Sequence, residues 1–181
     1  MRLPLSLSNE QAINTLDEPF RSQAVRLIGM VQHIIQDMPD IFLTVEDGRR
    51  SFEAQFEAYK TGRKQDATGK WVLDLPKRIT TKAAPGFSAH QYNRAIHLVF
   101  RNMEVAKGGF HHWLADDDPR WRTIIGDIAE ELGLSWGGRI SGLYDASHIE
   151  DPDWKKLGKA LAWQGIPDDV HYHGWKEGNK V

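Results

Sequence analysis

The chain contains no cysteine. That excludes disulfides and every thiolate metal site, so any metal must be held by His, Asp or Glu. It has no apolar run approaching the roughly 20 residues of a membrane span. Met1-Arg-Leu-Pro-Leu-Ser-Leu-Ser8 lacks the apolar stretch of a signal peptide. The expectation is a protein made in the cytoplasm and exported, if at all, by another route. Charge of either sign is not in excess: 23 Lys and Arg stand against 25 Asp and Glu, a formal net charge of -2. Such balance argues against a nucleic-acid partner. Repeats and low-complexity linkers are also lacking. What remains is 181 residues, 40 % hydrophobic and 27 % charged, which suits one globular domain over 1–181. Seven Trp is a high count; they serve either the core or a surface that handles sugar and peptide faces.

The hydrophobic pattern predicts helices around a few short strands, an α+β arrangement. A helix is expected from Asn9 to about Asp37, with Ala24, Leu27, Ile28, Val31, Ile34 and Ile35 at three- and four-residue spacing. Ile41–Val45 is β-branched and reads as a strand. Ser51 is placed to cap a helix with Ala54–Gly62 as its body. Thr61–Gly86 reads as a long polar loop with a small hairpin near Trp71–Leu73. Ala95–Phe100 alternates, with Ile96, Leu98 and Phe100 on one face and Ala95, His97 and Val99 on the other. Asp118-Pro119 opens a helix that Gly133 stops near Glu131 or Leu132. Leu134–Trp136 and Ser147–Ile149 read as strands, Asp153–Trp163 as a last helix, and the tail 167–181 as irregular.

The histidines differ in context. His33 lies in a helical run, and His111-His112 in a polar loop without a carboxylate at metal-ligand spacing. His171-Tyr-His173 alternate on a tail where they could chelate or simply fray. His90 follows a loop, His97 sits on the less apolar strand face, and Asp145 precedes His148 by three residues. A carboxylate so placed can reach a metal-bound water and take its proton without ligating the metal.

Three blocks then carry a resemblance. Gly48-Arg-Arg-Ser51 with Gln55, Tyr59 and Gly62-Arg63 resembles a G-x-R-S-x-x-x-Q-x-x-x-Y-x-x-G-R block. Ser88-Ala-His90 through His97 is similar to S-x-H-x-x-G-x-A-x-D. Trp136-Gly-Gly and Asp145-Ala-Ser-His148-Ile-Glu150 resemble W-G-G and D-x-x-H-x-E. All occur in this order in the LAS zinc peptidases, a group with D-Ala-D-Ala carboxypeptidases and L-alanyl-D-glutamate endopeptidases of phage endolysins.

The resemblance implies the LAS (hedgehog/D-Ala-D-Ala metallopeptidase-like) fold, a small antiparallel sheet flanked by helices. It implies Zn(2+) held by His90, His148 and the residue at position 97. Asp145 would be the general base, and Arg50 would stabilise the oxyanion, with Arg49 an equally close neighbour. Ser88, Gln55 and Tyr59 would face the substrate, and Glu150 would orient His148. The implied partner is the peptidoglycan stem peptide, met by a monomer without a membrane span. L-Ala-D-Glu cleavage is favoured over D-Ala-D-Ala cleavage, in the manner of a phage or prophage lysin acting on the wall after release.

Two positions depart from the pattern. Asn93 replaces a Gly, and Asn tolerates the left-handed backbone region. His97 replaces the Asp ligand. Three readings stay open: a three-His zinc site, a wall-binding pseudoenzyme or structural module of a phage or injection particle with little or no zinc, and a site for copper or nickel.

Overall fold

A computed structural model describes residues 7–38, 40–104, 109–112, 114, 118–139 and 144–156. The chain divides into two compact units, residues 1–49 with 93–154, and residues 50–92 with 155–181.

In the first unit, helices α1 (Leu7–Asn14) and α2 (Phe20–Ile34) precede strand β1 (Ile41–Glu46). The single helix expected over this stretch is therefore two. Pro19 caps α2 with no side-chain hydrogen bond, and Asp17 N donates to Asn93 O instead of extending a helix. The apolar stripe nevertheless crosses the break: Ile13, Leu16, Phe20, Ala24, Leu27, Ile28, Val31 and Ile35 are all buried, whereas Ile34 is exposed.

Strand β4 (Ala95–Glu104) is the centre of a five-stranded antiparallel sheet and runs longer than its alternation suggested. Along one edge it pairs with the whole of β1, from Ile41 opposite Asn102 to Glu46 opposite His97. Along the other it pairs with β7 (His148–Glu150) near its start and β5 (Gly109–His112) near its end. His111-His112, expected in a loop, thus lies on a strand. The short β6 (Ser135–Trp136) adds to β7. Ile96, Leu98 and Phe100 are fully buried on the face that packs with α2. Burying a side chain of that size contributes about 1.5–3 kcal/mol each.

The helix expected after Asp118 contains a wider π turn at Arg122–Gly126 that continues as the α-helix Asp127–Glu131. Of the four described tryptophans, Trp121, Trp136 and Trp154 are buried, which makes them packing residues. Residues 154–156 begin the last helix; its remainder and the tail with His171 and His173 lie outside the described residues.

In the second unit, Ser51 caps α3 (Phe52–Lys60) by accepting from Ala54 N, as its type predicts. The polar stretch that follows holds a hairpin of β2 (Arg63–Gln65) and β3 (Trp71–Leu73). A 3-10 turn, Ala89–Tyr92, ends the unit. No helix among the described residues is long and apolar enough to cross a membrane.

Candidate metal centre

In the first unit the site is built by strand pairing. His97 on β4 and His148 on β7 are directly opposite residues, so their side chains leave the sheet on the same face. That face is the one opposite the Ile96–Leu98–Phe100 core. The rings stand 5.1 Å apart at 59°. His148 Nδ1 lies 3.4 Å from His97 Nε2. A metal ion held by two imidazole nitrogens at about 2.0–2.1 Å in tetrahedral array keeps those nitrogens about 3.3–3.4 Å apart. The observed 3.4 Å matches that spacing, and it serves an N–H···N hydrogen bond equally well.

The other ring nitrogen of His148, Nε2, is 3.0 Å from Glu150 Oε2. Donation of Nε2–H to that carboxylate leaves the Nδ1 lone pair facing His97.

Asp145 lies on the turn before β7. Its Oδ2 is 3.3 Å from His97 Nε2, and its Oδ1 accepts from Ser147 Oγ at 2.9 Å. Burial raises its pKa, but the hydrogen bond and charge of His97, the Ser147 hydroxyl and the charge of His148 outweigh that. The carboxyl is held well below the usual carboxylate range.

The Trp136-Gly-Gly segment explains how this turn comes so close. A Cβ on Gly137 would fall 2.3 Å from Asp145 O and 2.8 Å from His148 Cβ. One on Gly138 would fall 2.3 Å from the Trp136 ring. Trp136 itself is locked by Nε1 donating to Ala146 O at 2.8 Å. The motif is therefore a clearance, cut for the backbone that carries Asp145 and His148. Asn93, in the other variant position, adopts φ 57. The left-handed turn survives there, and its carbonyl accepts from Asp17 N.

In the second unit His90 sits in the 3-10 turn, 2 % exposed. Its carbonyl accepts from Arg50 N at 3.1 Å. The Arg50 guanidinium donates from Nη1 to Gln55 Oε1 at 3.1 Å, and Gln55 Nε2 donates to Ala83 O at 2.7 Å. Arg50 is half-buried and held in this way, while Arg49 is exposed. Gln55, expected to face substrate, is fully buried; what it touches is Arg50 and the Ala83 carbonyl. Tyr59 lies under the guanidinium of Arg63, 4.0 Å from ring centroid to Cζ. Ser88 is 9 % exposed, and its carbonyl accepts from Gln91 N. His33 is exposed on α2, away from any of these groups in sequence.

Within the first unit, His97 and His148 each offer a ring nitrogen that could hold a metal ion. One residue with a plausible part in the site had no sequence signal. Asp47, just past β1, places Oδ2 3.8 Å from His97 Nδ1. Only the pairing of Glu46 with His97 reveals it.

The family described as D-alanyl-D-alanine carboxypeptidase matches residues 81–151, the stretch with His90, His97, Asp145 and His148. The chain is 30 % identical over 116 residues to the peptidoglycan L-alanyl-D-glutamate endopeptidase CwlK of Bacillus subtilis (strain 168), which covers 61 % of this chain. It spans 60 % of the length of that curated relative. Among solved structures, the L-Ala D-Glu endopeptidase ChiX of Serratia marcescens aligns at a TM-score of 0.49 and 18 % identity, over 85 % of this chain and 93 % of its own. The LD-carboxypeptidase LdcB aligns at 0.42 and 17 %, over 88 % and 76 %. The family match spans the second and third motif blocks in their order, and over that stretch the chain is similar to the LAS-type zinc peptidases.

Proposed function

We propose that this chain is a zinc-dependent peptidase that hydrolyses the stem peptide of peptidoglycan. The observation that carries the reading is the 3.4 Å spacing of His97 Nε2 and His148 Nδ1, with the Asp145 carboxylate 3.3 Å from the same His97 nitrogen. His97 and His148 would hold the ion, with His90 as the further ligand that the motif resemblance implies. Bound zinc would polarise the scissile carbonyl and bring the pKa of a water toward about 7. Asp145 takes the proton of the attacking water and delivers it to the leaving amine. The Arg50 guanidinium, steadied by Gln55, donates charge-assisted hydrogen bonds to the oxygen that gains negative charge.

Cleavage between L-Ala and D-Glu is the preferred bond, in line with what CwlK is described as cutting; D-Ala-D-Ala cleavage is second, in line with the family description. The protein acts as a phage or prophage lysin does, on the wall after release from the cell. Purified walls incubated with the full chain and zinc are expected to release new amino groups, with L-Ala exposed as a C-terminus by mass spectrometry. A chelator is expected to stop the release. No new amino groups at full zinc loading sinks the reading and leaves a wall-binding module in its place.

A further inference from the structure

We infer that Asp47 is a positioning residue for His97, a carboxylate behind the ring that makes up for the anionic ligand this chain has lost. The inference rests on the zinc reading above. In the family pattern position 97 is an Asp, whose charge would sit on the metal itself. Here it is an imidazole, and a carboxylate stands behind each of the two rings. Glu150 Oε2 stands behind His148, 3.0 Å from Nε2. Asp47 Oδ2 stands behind His97, 3.8 Å from Nδ1. Each ring thus turns one nitrogen toward the other ring and the second toward a carboxylate.

The arrangement decides a tautomer. A neutral imidazole carries one N–H. His97 Nε2 is the nitrogen that faces both His148 and Asp145, so for it to offer a lone pair the proton must reside on Nδ1. A carboxylate at Nδ1 favours that form and makes Nε2 a better donor to a metal. Asp47 is held to the task by its backbone. It follows the last residue of β1, and Glu46 is paired with His97 across the sheet. At φ 53 the chain turns left-handed there, which brings the next side chain round toward the ring. Glu46 itself forms an ion pair with Arg101. The 3.8 Å separation is an ion-pair distance, and half of the Asp47 side chain is exposed.

The test compares zinc affinity of the full chain with Asp47→Asn and Asp47→Glu variants, by competition with a chromophoric chelator. Asn accepts a left-handed φ as readily as Asp, so the backbone is kept while the charge goes. The expected result is a zinc Kd about tenfold weaker for Asp47→Asn, the low end of the loss seen when a carboxylate behind a ligating His is removed. Asp47→Glu keeps the charge and is expected to bind zinc more tightly than Asp47→Asn, and metal-free Asp47→Asn is expected to melt with the wild type. In the zinc-loaded wild type, nitrogen-15 spectra of the histidine rings should place the His97 proton on Nδ1. A Kd for Asp47→Asn within about twofold of the wild type, or a His97 proton on Nε2, overturns the inference. A wild type that takes up no zinc sinks the zinc reading and this inference together. Zinc uptake by the wild type with an unchanged Asp47→Asn sinks this inference alone.

Discussion

Replacing Gly137 by Ala adds one carbon atom at the tightest point of the Trp136–Gly138 segment. The new Cβ would sit 2.3 Å from the Asp145 carbonyl oxygen and 2.8 Å from His148 Cβ. Ordinary contact needs about 3.4–4.0 Å, so the turn before β7 must open by roughly 1 Å. Neither neighbour is the free end of a flexible side chain. One is backbone, tied through Asp145 N to Gly137 O, and the other begins a paired strand. Forced overpacking of this kind costs about 1–3 kcal/mol. For a chain of this size that lowers Tm by about 2–12 °C, at roughly 2–4 °C per kcal/mol. The same movement shifts His148 away from His97, whose nitrogens now stand at the 3.4 Å that a shared zinc requires. Calorimetry and metal analysis of the purified variant should therefore record two losses from one methyl group: a lower Tm and less bound zinc. Gly29→Ala is the control. A Cβ there meets nothing within 4 Å, and the helix α2 should gain about 0.5–1 kcal/mol. A Gly137→Ala protein that melts within about a degree of the wild type and binds zinc as well would refute the clearance argument.

Three further outcomes follow from the same geometry. His97→Asp restores the family's residue, but its shorter side chain falls short of the position that Nε2 occupies; zinc content by mass spectrometry should fall, and a gain in zinc and activity would mark His97 as the defect. Gln55→Ala strips a hydrogen bond from the Arg50 guanidinium and leaves the Ala83 carbonyl without its donor; stability should drop by about 1–3 kcal/mol in urea, and wall hydrolysis should lose kcat more than KM. Asp118 is bound by Arg120 side-chain and backbone hydrogen bonds, which lower its pKa from 3.8 to about 2. Because the folded value is the lower one, its contribution is full above pH 3.8 and is lost as pH falls through 2; a carboxyl NMR titration should show this midpoint and its return toward 3.8 in Arg120→Ala.

Much of this was legible in the sequence because the relevant signal is local or periodic. Ile96, Leu98 and Phe100 announced the core face of β4 by alternation, and all are fully buried. The Ala24–Val31 stripe found its helix for the same reason. The break near Pro19 was not legible, because Ile13, Leu16 and Phe20 keep the helical spacing across it; periodicity reports which face is buried and not whether the backbone is continuous. His111-His112 read as a loop because their strand owes its existence to β4 beside it, a partner that no local pattern encodes. The same holds at the site. His148, Asp145 and Glu150 lie within six residues of one another and could be read as a motif. Gln55 belonged to a motif as well, yet its burial behind Arg50 depends on the carbonyl of Ala83, 28 residues on. Asp47 meets His97 from 50 residues away and only through strand register.

That register sets a rule for altering β4. Consecutive residues do opposite jobs: Ile96 and Leu98 are sealed in the interior, and His97 between them reaches its partner on β7. One residue inserted ahead of Ala95 would invert the strand, driving an imidazole into hydrocarbon and two aliphatic side chains toward Asp145. Two inserted residues would restore the faces but carry His97 about 6.8 Å along the strand, past His148 and out of reach of Asp47. The strand therefore admits no change of length, odd or even, ahead of the histidine.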